Sequence, residues 1–450
     1  PGDGYTVSVR DQANGASAIG SVNTWGAGGV RVLFAGADNQ QGVLTHSAIN
    51  SGSDPNALNA YNASSKTARI YDGAGWHILK NGLTYPSNAT QGYTETGTAG
   101  TLHISRLIQN VISAGTPSSL TPFVHSGTRI EDWIIDGSYK SAIYDASGDG
   151  VSTAAGFQSS IWTTMNDVPN VGYGDLEAVC CWLGAANASN ATDTSYGDSL
   201  EALYQQFLGW VGPQRRDSST FIFVPVILQG ITAAAANAER IRKSIMDFVA
   251  NHQANGDKVS FVSALDIPPL SDGVLVGADG QVTLGCRQVQ ALYYHTGQST
   301  VSGMGPQIVD ATRSGTTITV TVAPAGGSLI RTANGGPPTG FYISTDNFAT
   351  GVGPGTGAYL TPSVVAITDD HTITITLPTA PSGTVYLKYQ GGTPGTTAFY
   401  NGVNNASTNP DVTGAVRDDV TLPTDSLLDA WHAPLVGFPL QPLLAPLTIS

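Results

Sequence analysis

The sequence is short of charge. Lys, Arg, Asp and Glu make up 12% of its 450 residues, about half the usual share, so Ser, Thr, Asn, Gln and Gly must cover the surface. Sugar-binding proteins and extracellular or virion fibres have surfaces of this kind. Cations are scarcest: 19 Lys and Arg face 33 Asp and Glu, for a net charge of −14. Nucleic-acid binding needs clustered Lys and Arg to displace counterions, and no such cluster occurs. The same lack argues against a basic membrane-attachment patch, and no apolar run reaches the roughly 20 residues that cross a bilayer. Cysteine is scarce too. Cys180 and Cys181 are adjacent on a strand-like run, where neighbouring side chains point to opposite faces and do not bridge. With Cys286 they form no CxxC pair for structural zinc, so all three read as small buried hydrophobes. HExxH, GxSxG and Walker loops are missing. An initiator Met removed before Pro1 would imply synthesis without export; a trimmed leader would look the same.

Hydrophobic residues make up 41% of the chain, enough for packed cores, and the length calls for two domains. Residues 1–27 read as an N-terminal attachment arm with one alternating stretch, Tyr5–Val9, before a Gly/Ala/Ser-rich run. Residues 28–304 alternate strand and helix patterns. Val30–Ala35, Leu120–Val124, Leu176–Leu183, Phe221–Leu228 and Val259–Leu265 are apolar strand-length runs. Leu102–Ala114, Asp198–Val211, Thr232–Gln253 and Gly280–Tyr294 have helical spacing. This order implies a three-layer α/β domain with a parallel sheet, whose site lies beyond the carboxyl ends of the strands. The loops after Ala35, Val124, Leu183 and Leu265 are therefore expected on one edge. Residues 305–432 carry short period-two stretches between Gly/Pro turns, the pattern of an all-β sandwich. Residues 433–450 form an apolar, Pro- and Leu-rich tail expected to run extended and pack within the chain or across a subunit interface.

Four short motifs, each after a strand pattern, resemble the sialate O-acetylesterase-like branch of the SGNH hydrolases, which have a flavodoxin-like parallel sheet. They are Gly36-Ala37-Asp38-Asn39-Gln40-Gln41-Gly42, Ser126-Gly127-Thr128-Arg129-Ile130-Glu131-Asp132-Trp133, Cys181-Trp182-Leu183-Gly184-Ala185-Ala186-Asn187-Ala188, and Asp272-Gly273-Val274-Leu275. A helix with Gly285-x-Arg287 follows the last of them. The resemblance covers roughly residues 30–295. It implies a nucleophile at position 38, an oxyanion donor at 183 and a general base at 275, with Asp272 orienting the base. The chain departs from the family at each of the first three. Asp38 replaces Ser, Leu183 replaces Gln and Leu275 replaces His, and Ser126 stands for the first Gly of the second motif. A triad acts as a unit, so the expectation is a retained fold with a vestigial site at Asp38, Asn39, Ser126, Gly127, Gly184, Asn187, Asp272 and Leu275.

Other roles remain open for these residues. Asp38 and Asp272 could form a carboxylate pair for glycoside chemistry or hold calcium, although an Asp before a helix commonly caps it. No other cofactor is expected. Gly197-Asp198-Ser199-Leu200 spells the motif of a related esterase group, but it follows a polar run and opens a helix, so Ser199 reads as a helix-start residue. His46 and His125 lie near strand ends and read as structural hydrogen-bonders. Trp76, Trp133, Trp162, Trp182 and Trp210 have faces that can stack on sugars, with Trp76 and Trp133 on expected loops.

The ligand-binding set is Asp38, Asn39, Trp76, Arg129, Trp133, Asn187 and Asp272. The expected function is a non-catalytic virion fibre or spike component that binds host-surface glycan, assembles with other virion proteins and forms homo-oligomers. A rewired carbohydrate O-acetylesterase, a purely structural virion module, and a secreted bacterial setting are the alternatives.

Overall fold

A computed structural model describes residues 5–10, 18–25, 30–36, 68–71, 76–78, 118–124, 128–134, 178–188, 195–211, 221–229, 235–267, 276, 278–323, 326, 330–332, 337–350, 358–389, 415–423 and 437–450. The chain opens with a two-stranded antiparallel ladder, β1 (Tyr5–Arg10) and β2 (Ala18–Trp25). The Gly/Ala/Ser-rich run of the arm thus contains a strand: small residues still offer backbone N–H and C=O groups to a ladder.

The first domain is built on an eight-stranded sheet. Its strands are β3 (Val30–Gly36), β4 (Ala68–Tyr71), β5 (Trp76–Ile78), β6 (Ser118–Val124), β7 (Ala178–Trp182), β8 (Ile222–Ile227), β9 (Lys258–Val259) and β10 (Val262–Ser263). The order is β10-β8-β7-β3-β6-β4-β5, with β9 also on β8. Every pairing is parallel except β4 with β5. The run Val259–Leu265 is two short ladder segments on β8 rather than one strand. β7 and β8 are buried at every position, as expected of strands covered on both faces.

Four α-helices are described: α1 (Ala185–Ala188), α2 (Tyr196–Val211), α3 (Ala235–Ala254) and α4 (Ala278–His295). The expected helix at Leu102–Ala114 lies outside the described residues. α2 buries Leu200, Leu203, Tyr204 and Phe207, the i, i+3, i+4, i+7 stripe that puts one face on a sheet. α4 differs, with every residue from Thr283 to Tyr293 buried. Arg287 of α4 reaches the Gly437 carbonyl of the following domain, and Leu422 and Phe438 from that domain join the first domain's core.

The second domain pairs a four-stranded antiparallel sheet with a three-stranded one. The first has the order β11 (Gln307–Ser314), β12 (Thr317–Ala323), β16 (Thr372–Thr376), β15 (Val364–Asp369). The second has the order β14 (Phe341–Ser344), β17 (Val385–Tyr389), β19 (Leu443–Ile449). A short ribbon joins β13 (Ile330–Thr332) to β18 (Val416–Asp418). Ile318, Val320, Ile373, Ile375, Ile343 and Leu387 meet in its core; a fully buried side chain of this kind is stabilised by about 1.5–3 kcal/mol relative to exposure. The apolar tail supplies β19, which pairs with β17.

The two domains meet at buried charge. Asp266 and Arg287 are both fully buried and form a bidentate pair, Nη1 to Oδ1 at 2.6 Å and Nη2 to Oδ2 at 2.8 Å. Arg287 also donates to the Ser263 carbonyl at 2.7 Å and to the Gly437 carbonyl of the second domain at 3.2 Å. Arg417 approaches Asp266 at 3.7 Å. Gly437 has φ +78, and a Cβ there would lie 2.1 Å from the Asp418 carbonyl oxygen, so only glycine fits this turn.

Candidate functional site at the carboxyl edge of the parallel sheet

The strand register sets the site. Gly36 at the end of β3 pairs with Val124 of β6 on one side and Trp182 of β7 on the other. These three strands are parallel and end level, so the first three motifs leave the sheet side by side. β10 also runs parallel to β8, so its carboxyl end lies on this edge.

The second and third motifs are tied together through Asn187. Its side chain is fully buried on α1. Oδ1 accepts from the Ile130 backbone N–H at 3.0 Å, and Nδ2 donates to Glu131 Oε2 at 2.8 Å. Ile130 opens a 3₁₀ turn, Ile130–Trp133, and the Asp132 carboxylate accepts from the Arg129 backbone N–H at 2.8 Å. A carboxylate that takes up an orphan N–H in this way fixes a helical start. Trp133 donates Nε1–H to Thr128 Oγ1 at 3.1 Å, and Gln206 of α2 donates to the Trp133 carbonyl at 3.0 Å. Behind the third motif, the Tyr196 hydroxyl donates to the Leu183 carbonyl at 3.1 Å and Asn237 to the Ala188 carbonyl at 3.0 Å. Gly184 has φ +114, and a Cβ would meet Ile241 at 3.0 Å and the Tyr196 hydroxyl at 3.1 Å. The sharp turn after β7 therefore depends on glycine.

Two members of the expected ligand set are engaged within the fold. Asn187 has its amide engaged within the fold and ties the two loops together. Trp133 is 1% exposed, so its indole belongs to the core and offers no stacking face. Arg129 is half-buried, and among the described residues its Nη1 has no hydrogen-bond partner; the same holds for Nε1 of Trp182, which is 3% exposed. Buried donors of this kind are costly unless something satisfies them. Trp76 begins β5, the edge strand of the sheet. Asp38, Asn39, Ser126, Gly127, Asp272 and Leu275, with His46, His125 and Trp162, lie outside the described residues.

The remaining candidates are chemically quiet. Burial pushes the Cys180 and Cys181 thiols well above their usual range, so neither supplies a thiolate nucleophile at the strand end. Ser199 is 1% exposed within the first turn of α2, its N–H donating to the Ser195 carbonyl at 2.9 Å. Leu183 is 2% exposed and carries no N–H donor on its side chain. Among the described residues, no group of three or more His, Cys, Asp or Glu is placed to hold a metal ion, and no helix is long and apolar enough to cross a membrane. Sequence reasoning missed Thr128 and Glu131 as partners. The acidic residues two and three places after Arg129 are the signal, since acidic side chains gather in a first helical turn.

No family model and no curated protein matches this sequence. Solved structures do. The carbohydrate acetylesterase XAC1771 from Xanthomonas citri superposes with a TM-score of 0.58 at 16% identity, over 94% of this chain and 81% of that one. Est24, a carbohydrate acetylesterase from Sinorhizobium meliloti, gives 0.32 at 13% identity over 58% of this chain and 98% of that one. A catalytic mutant of Axe2, an acetylxylan esterase from Geobacillus stearothermophilus, gives 0.32 at 12% over 60% and 96%. The first is a likeness of fold that spans both domains. The first domain is an SGNH-like α/β fold and the second a β-sandwich.

Proposed function

We propose that this chain recognises a glycan without hydrolysing it, on an acetylesterase-like scaffold, as part of a virion surface appendage. The observation that carries the reading is Leu183. It is buried at the end of β7, where the resembled esterases place an oxyanion donor, and a leucine side chain donates no hydrogen bond. Removing one such donor costs about 10²–10³ in kcat. Asp38 and Leu275 stand at the nucleophile and base positions of the same motifs, and losses within a triad are of the order of 10⁶. The N–H groups of Arg129 Nη1 and Trp182 Nε1, which have no partner among the described residues, favour recognition, since sugar hydroxyl and acetyl oxygens accept hydrogen bonds. The uncharged, Ser/Thr/Asn/Gly-rich surface and the net charge of −14 suit a virion fibre that assembles with copies of itself and with other virion proteins.

A second reading is a working carbohydrate O-acetylesterase with a rewired site. The fold likeness to a carbohydrate acetylesterase across 94% of the chain favours it. Acetate release from O-acetylated glycans, run beside a glycan-array binding assay, separates the two. Binding without release supports recognition, and release that Asp38→Ala abolishes supports the esterase. Neither binding nor release would leave a structural module and overturn the proposal.

A further inference from the structure

The opposite edge of the parallel sheet, where β9 begins, carries a charge cluster that the proposed function does not use. His252 lies in the last turn of α3 and is 7% exposed. Its Nε2 is 2.7 Å from Glu201 Oε2 on α2, and its Nδ1 is 2.7 Å from Asp257 Oδ2 in the turn leading to β9. A neutral imidazole has one N–H and one lone pair. It would satisfy one carboxylate and point a lone pair at the other. With both ring nitrogens within hydrogen-bond distance of carboxylate oxygens, only an imidazolium can donate to both.

The surroundings hold the ring in this arrangement. Gln205 donates to the other Glu201 oxygen at 2.7 Å, and the Asp257 backbone N–H donates to the His252 carbonyl at 3.0 Å. The rings of Tyr204 and Phe248 lie 4.5 and 4.4 Å from the imidazole, centroid to centroid, and aromatic faces attract a cation. Among the described residues, the titratable groups facing the ring are Glu201 and Tyr204 of α2 and Asp257 of the turn. The Tyr204 hydroxyl is pushed up to about 12, first by burial and then by the charges of Asp257 and Glu201, so it stays neutral.

We propose that His252 is a pH-sensitive latch: as an imidazolium it ties α2, α3 and the turn into β9 together, and loss of its proton releases that corner. Burial alone favours the neutral ring, but the hydrogen bonds and charges of Asp257 and Glu201 outweigh it and raise the His252 pKa above its ordinary value. The folded chain then holds this proton more tightly than the unfolded chain. The stabilisation is complete below the ordinary histidine pKa and is lost as pH rises through the raised one. His295, in the last turn of α4, behaves in the opposite way. Its Nε2 faces Ser260 Oγ at 2.9 Å, and burial, then Lys258, pushes its pKa down to about 4, so it forms no charged tie.

The test is a nitrogen-15 titration of the histidine rings in the full-length protein between about pH 5.5 and 9.5, with thermal unfolding of the wild type and His252→Gln over the same range. One imidazole is expected to keep both protons to higher pH than an ordinary histidine, and Glu201→Gln should lower its midpoint. The melting temperature of the wild type should exceed that of His252→Gln at low pH, with the gap closing at high pH. The titration of the unmutated protein stands even if His252→Gln fails to fold. A His252 ring that titrates at or below the ordinary range, or a melting gap constant with pH, overturns the latch.

Discussion

Strand β8 of the parallel sheet and strand β12 of the four-stranded sheet, six and seven residues long, are of similar length in different surroundings. β8 is buried at all six positions. β12 buries Ile318, Val320 and Val322 and turns Thr317, Thr319 and Thr321 outward, and these pair with Thr376, Thr374 and Thr372 of β16. Both sequences favour strands through β-branched and aromatic residues, so propensity does not distinguish them. The difference lies in what covers the faces: helices on both sides of one sheet, a partner sheet on one side of the other. The same substitution should therefore cost more in the first sheet than on the open face of the second.

The largest effect is expected where the two regions join. Asp266→Ala leaves the buried Arg287 guanidinium without its carboxylate, and breaking a buried pair in this way costs about 3–5 kcal/mol. Denaturant unfolding should show that loss in a single transition that includes both domains. Phe223→Ala, at the centre of β8, should cost about 3–5 kcal/mol by the same measurement. Ile375→Val in β16 removes one methylene from the sandwich core and should cost about 0.5–1.5 kcal/mol. Thr374→Ala, on the open face of the same strand, should stay within about 0.5 kcal/mol. Equal costs for Phe223→Ala and Thr374→Ala would remove the contrast.

Asp418 sharpens the comparison through pH. It is 0% exposed, and its Oδ1 accepts from the Phe438 and Val420 backbone N–H groups at 2.8 and 3.3 Å. Burial, against the lowering effect of these hydrogen bonds and of Arg287, pushes its pKa up to about 6. The folded chain thus binds a proton that the unfolded chain has released. Asp418 stabilises most below the ordinary carboxylate pKa, and that contribution is lost as pH rises through about 6. Asp418→Asn should flatten the fall in melting temperature between about pH 4 and 7 and leave the acid side little changed.

How far the sequence reveals this molecule depends on length and locality. Phe221–Leu228 is legible because eight apolar residues in a row fit a strand covered on both faces. The alternation in Thr316–Val322 is legible because one face is wet. β4, β5, β13 and β18 have three or four residues each, too few for a period to show. β19 is hidden by its Pro- and Leu-rich composition; Pro446 fits there because β19 ends the order of its sheet, and an edge strand tolerates a missing N–H. At the site, the motifs place the loops on one edge, but they do not assign the side chains. Asn187 reads as a ligand contact because its motif leaves the sheet at the cleft. Its partners, Ile130 and Glu131, lie more than fifty residues earlier in sequence, and no local pattern reveals such a bond. His252 is hidden for the same reason, since Glu201 comes from another helix.

The most direct test of the central claim is acetate release from a generic acetyl ester by the purified full-length protein, measured beside Asp38→Ala and the Asp38→Ser/Leu275→His double variant. The account predicts no turnover above the uncatalysed rate for the wild type and for Asp38→Ala, with turnover appearing in the double variant. Clear wild-type turnover that Asp38→Ala abolishes would contradict it and show a rebuilt esterase site.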